Sequence, residues 1–468
     1  MWRIVSIARG ANRKPLNRKR PSSSQTAGVA VLLVVLAAAV GAGTYAGVRK
    51  WRDNSVATPT VAAPAGEGAS AAAAPPGRPP SAAPSPSPAG VAAALRGPLA
   101  DRGLGNRVLV QVRDVASGEV LASRDAATPA PPASTAKLST ALAVLAVHKT
   151  TDRIRTRVVA GALPGTVVLV GGGDPTLTAA APGKPGAYSG AARITDLARQ
   201  LRGVHVTRVE VDDRLFAGPA VSPYWAPEDV PSEYAAPITA STVDGGRDTP
   251  GALVRSAAPD LAAGQALAAT LGGDVVAARG TAPQQARTLA SVQSAPIGTL
   301  VEQMLSVSDN VIAEFLARQV ALAEHQPASF AGAATAVGSV LAGLGVPIGA
   351  GLVDGSGLAA RDRLSADTLD RLLLLATKRT TVLDMLPVAA WSGTLAGRFV
   401  RSAGAGVVRA KTGTLTSVST LAGLVHDKDG RLLAFALLAD QVGPTAADTA
   451  AAEAALDRAV DALATCGC

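Results

Sequence analysis

The sequence contains few aromatic residues, histidines and cysteines, and each scarcity excludes a class of structure or chemistry. Phe, Trp and Tyr make up 3% of the 468 residues, so the core has to be built from Val, Leu and Ala rather than from aromatic rings. The four histidines stand alone, without the spacing of a metal-binding pair: His148, His205, His325 and His426. We therefore predict no metal site and assign no catalytic role to a histidine.

Cysteine is limited to Cys466 and Cys468 at the end of the sequence. A bond within so short a pair would be strained, and neither residue can bridge distant parts of the fold inside the chain. The protein therefore has no disulfide framework, although an extracytoplasmic location would permit one. The role of the pair stays unassigned.

Charged residues make up only 17% of the sequence, and the net charge of +9 is unevenly placed. Seven cations lie within the first 20 residues: Arg3, Arg9, Arg13, Lys14, Arg18, Lys19 and Arg20. Residues 27–48 carry no charge and are numerous enough to cross a bilayer as a helix. Cations in front of such a span keep the N-terminus in the cytoplasm.

This pattern predicts a protein of the cell membrane with a cytoplasmic basic tail at 1–26, an uncleaved single-pass transmembrane anchor at 27–48 and an extracytoplasmic remainder. The alternative is a signal peptide, which is removed, but such peptides usually have shorter apolar cores. The basic tail is therefore expected to face membrane lipid, and we predict no nucleic-acid partner.

Residues 49–96 are rich in Ala, Pro and Ser and show no apolar periodicity. This composition predicts a disordered or polyproline-type linker. Such a linker would hold the folded remainder of the chain at some distance from the membrane.

The remaining residues are more numerous than one domain usually holds, so two domains are expected. Val108, Val110 and Val112 alternate with other residues before a Ser117-Gly118 turn, which predicts a β-hairpin. Strands are also predicted at 166–171, 205–213, 406–415 and within 421–440, and helices at 296–321, 328–344 and 445–463.

A serine and a lysine lie three residues apart in Ser134-Thr135-Ala136-Lys137, at the predicted start of a helix. That spacing puts both side chains on one helical face. A serine hydroxyl becomes a nucleophile when a neighbour removes its proton, and a lysine can do so when burial lowers its pKa. Alone, such a motif is more often a helix cap beside a solvated lysine.

Two further motifs follow in order. Ser308-Asp309-Asn310 precedes a helical pattern, and its hydroxyl and amide could relay a proton and hold a substrate amide. Lys411-Thr412-Gly413-Thr414 lies on a predicted strand, where the cation and hydroxyl can bind a carboxylate and the glycine lets a substrate backbone lie close. Each motif is common by itself, whereas the ordered set is specific.

Together the three motifs resemble the signature of the penicillin-binding protein and serine β-lactamase superfamily. Further segments look like the D-alanyl-D-alanine carboxypeptidases/endopeptidases of peptidase family S13, the class C low-molecular-mass penicillin-binding proteins: 170–177, 211–219, 234–240, 353–365 and 391–399. Within 353–365, Asp354-Gly355-Ser356-Gly357 lacks the preceding glycine of a nucleophile elbow, so we interpret it as a turn bordering the cleft.

The resemblance implies an α/β (α+β) fold with two domains. The β-lactamase/transpeptidase-like catalytic domain, with a central antiparallel sheet flanked by helices, is expected at 97–154 and 291–468. An inserted, mainly β domain is expected at 155–290.

The resemblance also assigns roles to the motif residues. Ser134 is the nucleophile, Lys137 the general base, and Ser308 helps pass the proton to the departing amine. The substrate-binding residues, for the peptide and its terminal carboxylate, are Asn310, Lys411, Thr412, Gly413 and Thr414. The backbone N–H groups of Ser134 and Thr414 form the oxyanion hole.

We therefore expect a serine-type D-Ala-D-Ala carboxypeptidase, or also a DD-endopeptidase, that cleaves peptidoglycan stem peptides through an acyl-enzyme. No metal or cofactor is needed, and β-lactam antibiotics are the expected covalent inhibitors. Two alternatives stay open. A serine β-lactamase is disfavoured because the sequence has no Glu-x-x-Leu-Asn pattern for activating water, and a non-catalytic wall-binding scaffold is disfavoured because the motif residues are intact.

Overall fold

The computed structural model describes residues 83–378 and 380–468, and this part of the chain forms two five-stranded sheets with helices around them. The strands are β1 Val108–Asp114, β2 Val120–Arg124, β3 Arg153–Ala160, β4 Thr166–Val170, β5 Arg208–Asp212, β6 Val276–Arg279, β7 Thr288–Pro296, β8 Val408–Leu415, β9 Val418–His426 and β10 Leu432–Ala439. The α-helices are α1 Pro88–Arg96, α2 Lys137–Val147, α3 Ile194–Gln200, α4 Pro259–Leu271, α5 Ile297–Ser306, α6 Asn310–Ala323, α7 Phe330–Gly343, α8 Ala366–Lys378, α9 Thr380–Asp384 and α10 Ala446–Ala464.

The first sheet is antiparallel throughout, in the order β2-β1-β10-β9-β8. Its central strand β10 is buried on both faces, and its residues alternate between two apolar cores. Leu438 faces the core formed with α2 and α5–α8, and the adjacent Leu437 faces the core formed with α1 and α10. This period of two is the geometry of a strand with both faces covered by helices. The predicted β-hairpin and the C-terminal strands are confirmed.

The second sheet has the order β6-β5-β4-β3-β7 and is mixed. β4, β5 and β6 run parallel to one another, whereas β3 pairs antiparallel with both β4 and β7. Helices α3 and α4 bury their apolar faces against it. The predicted fold class, a helix-flanked antiparallel sheet with an inserted β domain, is confirmed, and the insert also carries these two helices. The individual domain boundaries stay predictions.

The insert packs against the first domain through a small apolar cluster. The cluster combines residues of the segment after β5, among them Trp225, Ala236 and Ile238, with Phe315 of α6 and Phe330 of α7. The Trp225 and Phe330 rings meet edge to face, with their centroids 5.0 Å apart. Edge-to-face contact adds to the stability that area burial alone provides.

The end of the predicted linker is part of the folded body, so the prediction of disorder over 49–96 is wrong for its last residues. Residues 88–96 form α1, whose Val91 and Leu95 are fully buried against α10 and β2. Ser87 caps the helix by accepting from the Gly90 N–H, and Pro88 stands at its first position. The two apolar residues, four apart among alanines, form a stripe that the Ala/Pro composition concealed.

The C-terminus lies beside this helix. The backbone N–H and hydroxyl of Ser87 both donate to the carbonyl of Cys468, at 2.9 and 2.8 Å. Cys466 and Cys468 are joined in a disulfide, and Cys466 is buried in the core below α10. This bond joins residues two apart in the sequence and links no distant parts of the fold.

The predicted anchor at 27–48 and the basic tail at 1–26 lie outside the described residues. Within the described ranges, none of the helices combines the length and apolarity needed to cross a bilayer.

We predict that Leu95→Ala lowers the free energy of unfolding by about 2–5 kcal/mol, because it opens a cavity between α1 and α10. Arg96→Ala, on the exposed side of the same turn, should change it by no more than about 0.5 kcal/mol. Urea unfolding of both variants measures the difference. Equal, negligible effects would mean that this segment is a linker after all.

Candidate active site

Ser134 lies at the point where the chain turns into α2. Residues Ala133–Ala136 form a short 3-10 helix, and α2 continues directly from Lys137. Ala133 has a positive φ of 47°, a conformation that non-glycine residues rarely adopt and that is common at functional sites. At this turn Ser134 is partly exposed, while Lys137 is completely buried.

The amino group of Lys137 is the meeting point of three segments. Its Nζ donates to Ser134 Oγ at 2.8 Å, to Asn310 Oδ1 at 2.6 Å and to the carbonyl of Ser356 at 2.7 Å. Burial lowers the pKa of Lys137 to about 8, although the carboxylates of Asp354 and Glu314 oppose the shift. A lysine at this pKa can exchange a proton with a neighbouring hydroxyl near neutral pH.

Ser308 and Asn310 come from the tight connection between α5 and α6. Ser308 has a φ of 59°, and Asp309 caps α6 by accepting from the Ile312 N–H at 3.0 Å. The Asn310 side chain is oriented at both ends, because its oxygen accepts from Lys137 and its Nδ2 donates to the carbonyl of Tyr234 at 3.2 Å. The connection thus directs a hydroxyl and an amide toward the buried lysines.

Strand β8 supplies the opposite wall. Lys411 Nζ donates to Ser308 Oγ at 2.9 Å and to the carbonyl of Thr412 at 2.7 Å. The Thr412 hydroxyl is fixed at 2.9 Å from that of Thr394, in the 391–399 segment. A side chain at Gly413 would collide with Thr420 and approach the Ser134 backbone nitrogen, so glycine is required for the strand to pass this close.

Lys411 is buried without an acidic partner. Burial lowers its pKa well below the usual value, and the charges of Lys137 and Arg398 act in the same direction. Among the residues that the structure describes, no carboxylate forms an ion pair with it. A bound anion would supply the missing opposite charge, so this position is suited to a carboxylate-bearing ligand.

The exposed Thr414 follows at the edge of the cleft. Its hydroxyl donates to Glu453 of α10 at 3.2 Å. The three motifs therefore converge. Hydrogen bonds link Lys137 to Ser134 and to Asn310, and Lys411 to Ser308 of the same motif as Asn310.

The sequence suggested that the Asp354 turn borders the cleft, and the structure shows that it also supplies a hydrogen-bond acceptor to Lys137. The Asp354 carboxylate accepts from the N–H groups of Ser356, Gly357 and Ala359 and from the indole N–H of Trp225. These bonds shape the turn so that the Ser356 carbonyl faces Lys137. Sequence reasoning missed this backbone acceptor, because a carbonyl has no residue-type signal; only the Asp-Gly-Ser-Gly turn marked its place.

A group of buried acids lies behind Lys137. Glu314 accepts from the Gly355 N–H at 3.0 Å and lies 3.5 Å from the buried Arg318 guanidinium. Burial and the neighbouring Asp354 carboxylate raise the pKa of Glu314 to about 7, and the same two causes raise that of Asp362. In the described part of the chain, no group of histidine, cysteine and acidic side chains has the arrangement of a metal site.

A family model for the D-Ala-D-Ala carboxypeptidase 3 (S13) family matches residues 91–252 and 247–463. The chain is 44% identical over 403 residues to a carboxypeptidase of Mycobacterium tuberculosis, covering 82% of this chain and 85% of the relative. It is 41% identical over 470 residues to the carboxypeptidase DacB of Mycolicibacterium smegmatis, covering 96% and 99%.

Among solved structures, penicillin-binding protein 4 (DacB) of Haemophilus influenzae superposes with a TM-score of 0.65 at 21% identity. The superposition covers 78% of this chain and 99% of that one. This likeness bears on the fold. The family match, the two relatives and the convergence of the three motifs lead to one conclusion: the chain belongs to the D-Ala-D-Ala carboxypeptidase 3 (S13) family.

Proposed function

We propose that the protein is a serine-type D-Ala-D-Ala carboxypeptidase that acts on peptidoglycan stem peptides through an acyl-enzyme and is inhibited covalently by β-lactams. The observation that carries the proposal is the hydrogen bond from the buried Lys137 to Ser134, in a cleft that also holds the buried Lys411 amino group. A solved complex of the Haemophilus influenzae protein with a β-lactam is consistent with it in fold.

In the proposed reaction, neutral Lys137 accepts the Ser134 proton as Ser134 Oγ attacks the carbonyl of the penultimate D-alanine. The peptide C–N bond breaks, and the proton passes by way of Ser308 to the departing amine. Water then cleaves the Ser134 ester and releases the shortened peptide. In this reaction Ser134 is a nucleophile that is activated by an adjacent base, Lys137.

The substrate would be held by the remaining motif residues. Asn310 would bind the peptide amide, and Lys411 with Thr412 the terminal carboxylate, whose charge offsets the burial of Lys411. Gly413 lets the peptide lie along β8, and the N–H groups of Ser134 and Thr414 would receive the developing oxyanion.

We also propose that residues 1–26 lie in the cytoplasm, that 27–48 anchor the protein in the membrane and that the catalytic body is extracytoplasmic. The charge pattern of the first 52 residues supports this, because cations flank an uncharged span on both sides. The polymer substrate lies outside the cytoplasm, in agreement with that orientation.

The function is tested by following both half-reactions in one preparation. Penicillin should give a stoichiometric burst of adduct on Ser134, because its amine stays attached and blocks water, whereas a D-alanyl-D-alanine peptide should turn over. Ser134→Ala should lose both signals. Rapid steady hydrolysis of penicillin without adduct would instead indicate a β-lactamase, and wall binding without adduct or D-alanine release a scaffold.

The pH dependence tests the role of Lys137. Only its neutral form can accept the Ser134 proton, so acylation by penicillin should rise with pH, by about fivefold between pH 7 and pH 8 for a pKa of about 8. Stopped-flow measurements of the acylation rate as a function of pH test this increase. Lys137→Arg, which stays protonated, should not be acylated; a flat profile, or acylation of that variant, would contradict the assignment.

The proposed topology predicts that protease added to intact protoplasts digests the catalytic body. The protein should also stay with membranes through a high-salt wash, because an apolar span holds it rather than charge. A variant lacking residues 1–48 provides the control and should be found in the soluble fraction rather than with the membranes. Recovery of a natural soluble form that begins after Val48 would show a cleaved signal peptide.

A further inference from the structure

Asp309, the middle residue of the Ser308-Asp309-Asn310 motif, points away from the cleft and into the insert. Its Oδ2 accepts from the Tyr188 hydroxyl at 2.8 Å and from Arg255 Nη2 at 3.0 Å. Its other oxygen accepts from the Ile312 N–H of α6. The Asp309 and Arg255 side chains are 4% and 3% exposed, so this contact between the two domains is shielded from water.

The insert forms a shaped receptor for this carboxylate. Arg255 also donates to the carbonyl of Gly245, and Arg247 donates to the Tyr188 hydroxyl at 3.0 Å. Gly245 has a φ of 67°, and a side chain there would collide with the Tyr188 hydroxyl. The loops that contain Tyr188, Gly245 and Arg255 are thus fitted to each other around Asp309.

The net effect of this buried ion pair on stability is expected to be small. Removing two charges from water costs free energy that their attraction only partly returns, so well-packed apolar residues could replace them at little loss. The arginines nevertheless hold the pKa of Asp309 well below its usual range, so the pair stays charged. Such a pair fixes geometry, because the hydrogen bonds between Asp309, Tyr188 and Arg255 are directional and form in one arrangement.

The geometry it fixes is that of the catalytic connection. Ser308, with its positive φ, adopts a conformation that persists only when its surroundings enforce it. Asp309 is held from two sides, by α6 and by the insert. The residues on either side of it contact the two buried lysines: Ser308 accepts from Lys411, and Asn310 accepts from Lys137.

We propose that Tyr188 and Arg255 of the insert are positioning residues for the reaction, which hold Asp309 so that Ser308 and Asn310 face Lys411 and Lys137. The insert is then a part of the catalytic apparatus rather than an appended domain. This inference rests on the proposed acylation of Ser134.

The test uses the full chain with Tyr188→Phe, which removes one hydroxyl, and Arg255→Lys, which keeps the charge but loses the planar fork. Displacements of about 1 Å at a reacting group can cost roughly a hundredfold in rate. We expect each variant to lower the limiting rate of acylation by a saturating penicillin by about tenfold. The thermal midpoint, measured in parallel, should show a folded protein at the assay temperature.

The matched control is Arg279→Ala. It removes another ion pair of the insert, in which Arg279 Nη2 donates to Asp260 at 2.9 Å, without touching the catalytic connection. Its acylation rate should equal that of the wild type. Wild-type rates in Tyr188→Phe and Arg255→Lys, or equal slowing in the control, would overturn the inference; if Arg255→Lys does not fold, Tyr188→Phe decides.

A second readout separates positioning from general destabilisation. In an Asp309→Asn background, Tyr188→Phe should slow acylation much less than in the wild type, because both changes act on one contact. Multiplicative effects on the rate would contradict the proposal. Failure of the wild type itself to form an adduct would instead count against the proposed function.

Discussion

The burial of Lys137 is the constraint on which the site depends. One amino group, with no access to water, donates to side chains or carbonyls from three segments: the turn before α2, the connection before α6 and the Asp354 turn. If any of the three moved, a buried donor would lose its partner, which is costly in a low-dielectric interior. The same burial that requires these contacts brings the pKa of Lys137 to about 8 and so prepares it to accept a proton.

The buried acids behind Lys137 limit that effect. Desolvation alone would drive the lysine further toward its neutral form, and Asp354 and Glu314 oppose it. No such acids oppose the shift at Lys411, whose pKa is lowered well below its usual value by burial and by the charges of Lys137 and Arg398. The two lysines are therefore suited to different tasks: one to proton transfer, and the other to binding an anion that completes its environment.

The insert contacts two of the segments that surround Lys137: the Asp354 turn and the connection before α6. Trp225 donates to Asp354, whose turn supplies the Ser356 carbonyl, while Tyr188 and Arg255 bind Asp309. An apolar cluster around Trp225 and Phe315 covers the same interface. The second domain thus contacts two of the three segments that converge on Lys137.

The three motifs, the family, the hairpin and the C-terminal strands could be predicted from the sequence, because motif spacing and strand patterns depend on neighbours in the chain. The sequence also located Ser134, Lys137, Ser308, Asn310 and Lys411. That α1 belongs to the folded body and that the Ser356 carbonyl accepts from Lys137 could be seen only in the folded structure. Tyr188 and Asp309 are 121 residues apart, so no local pattern couples them; their contact arises because two domains bury the same carboxylate, and that follows from packing alone.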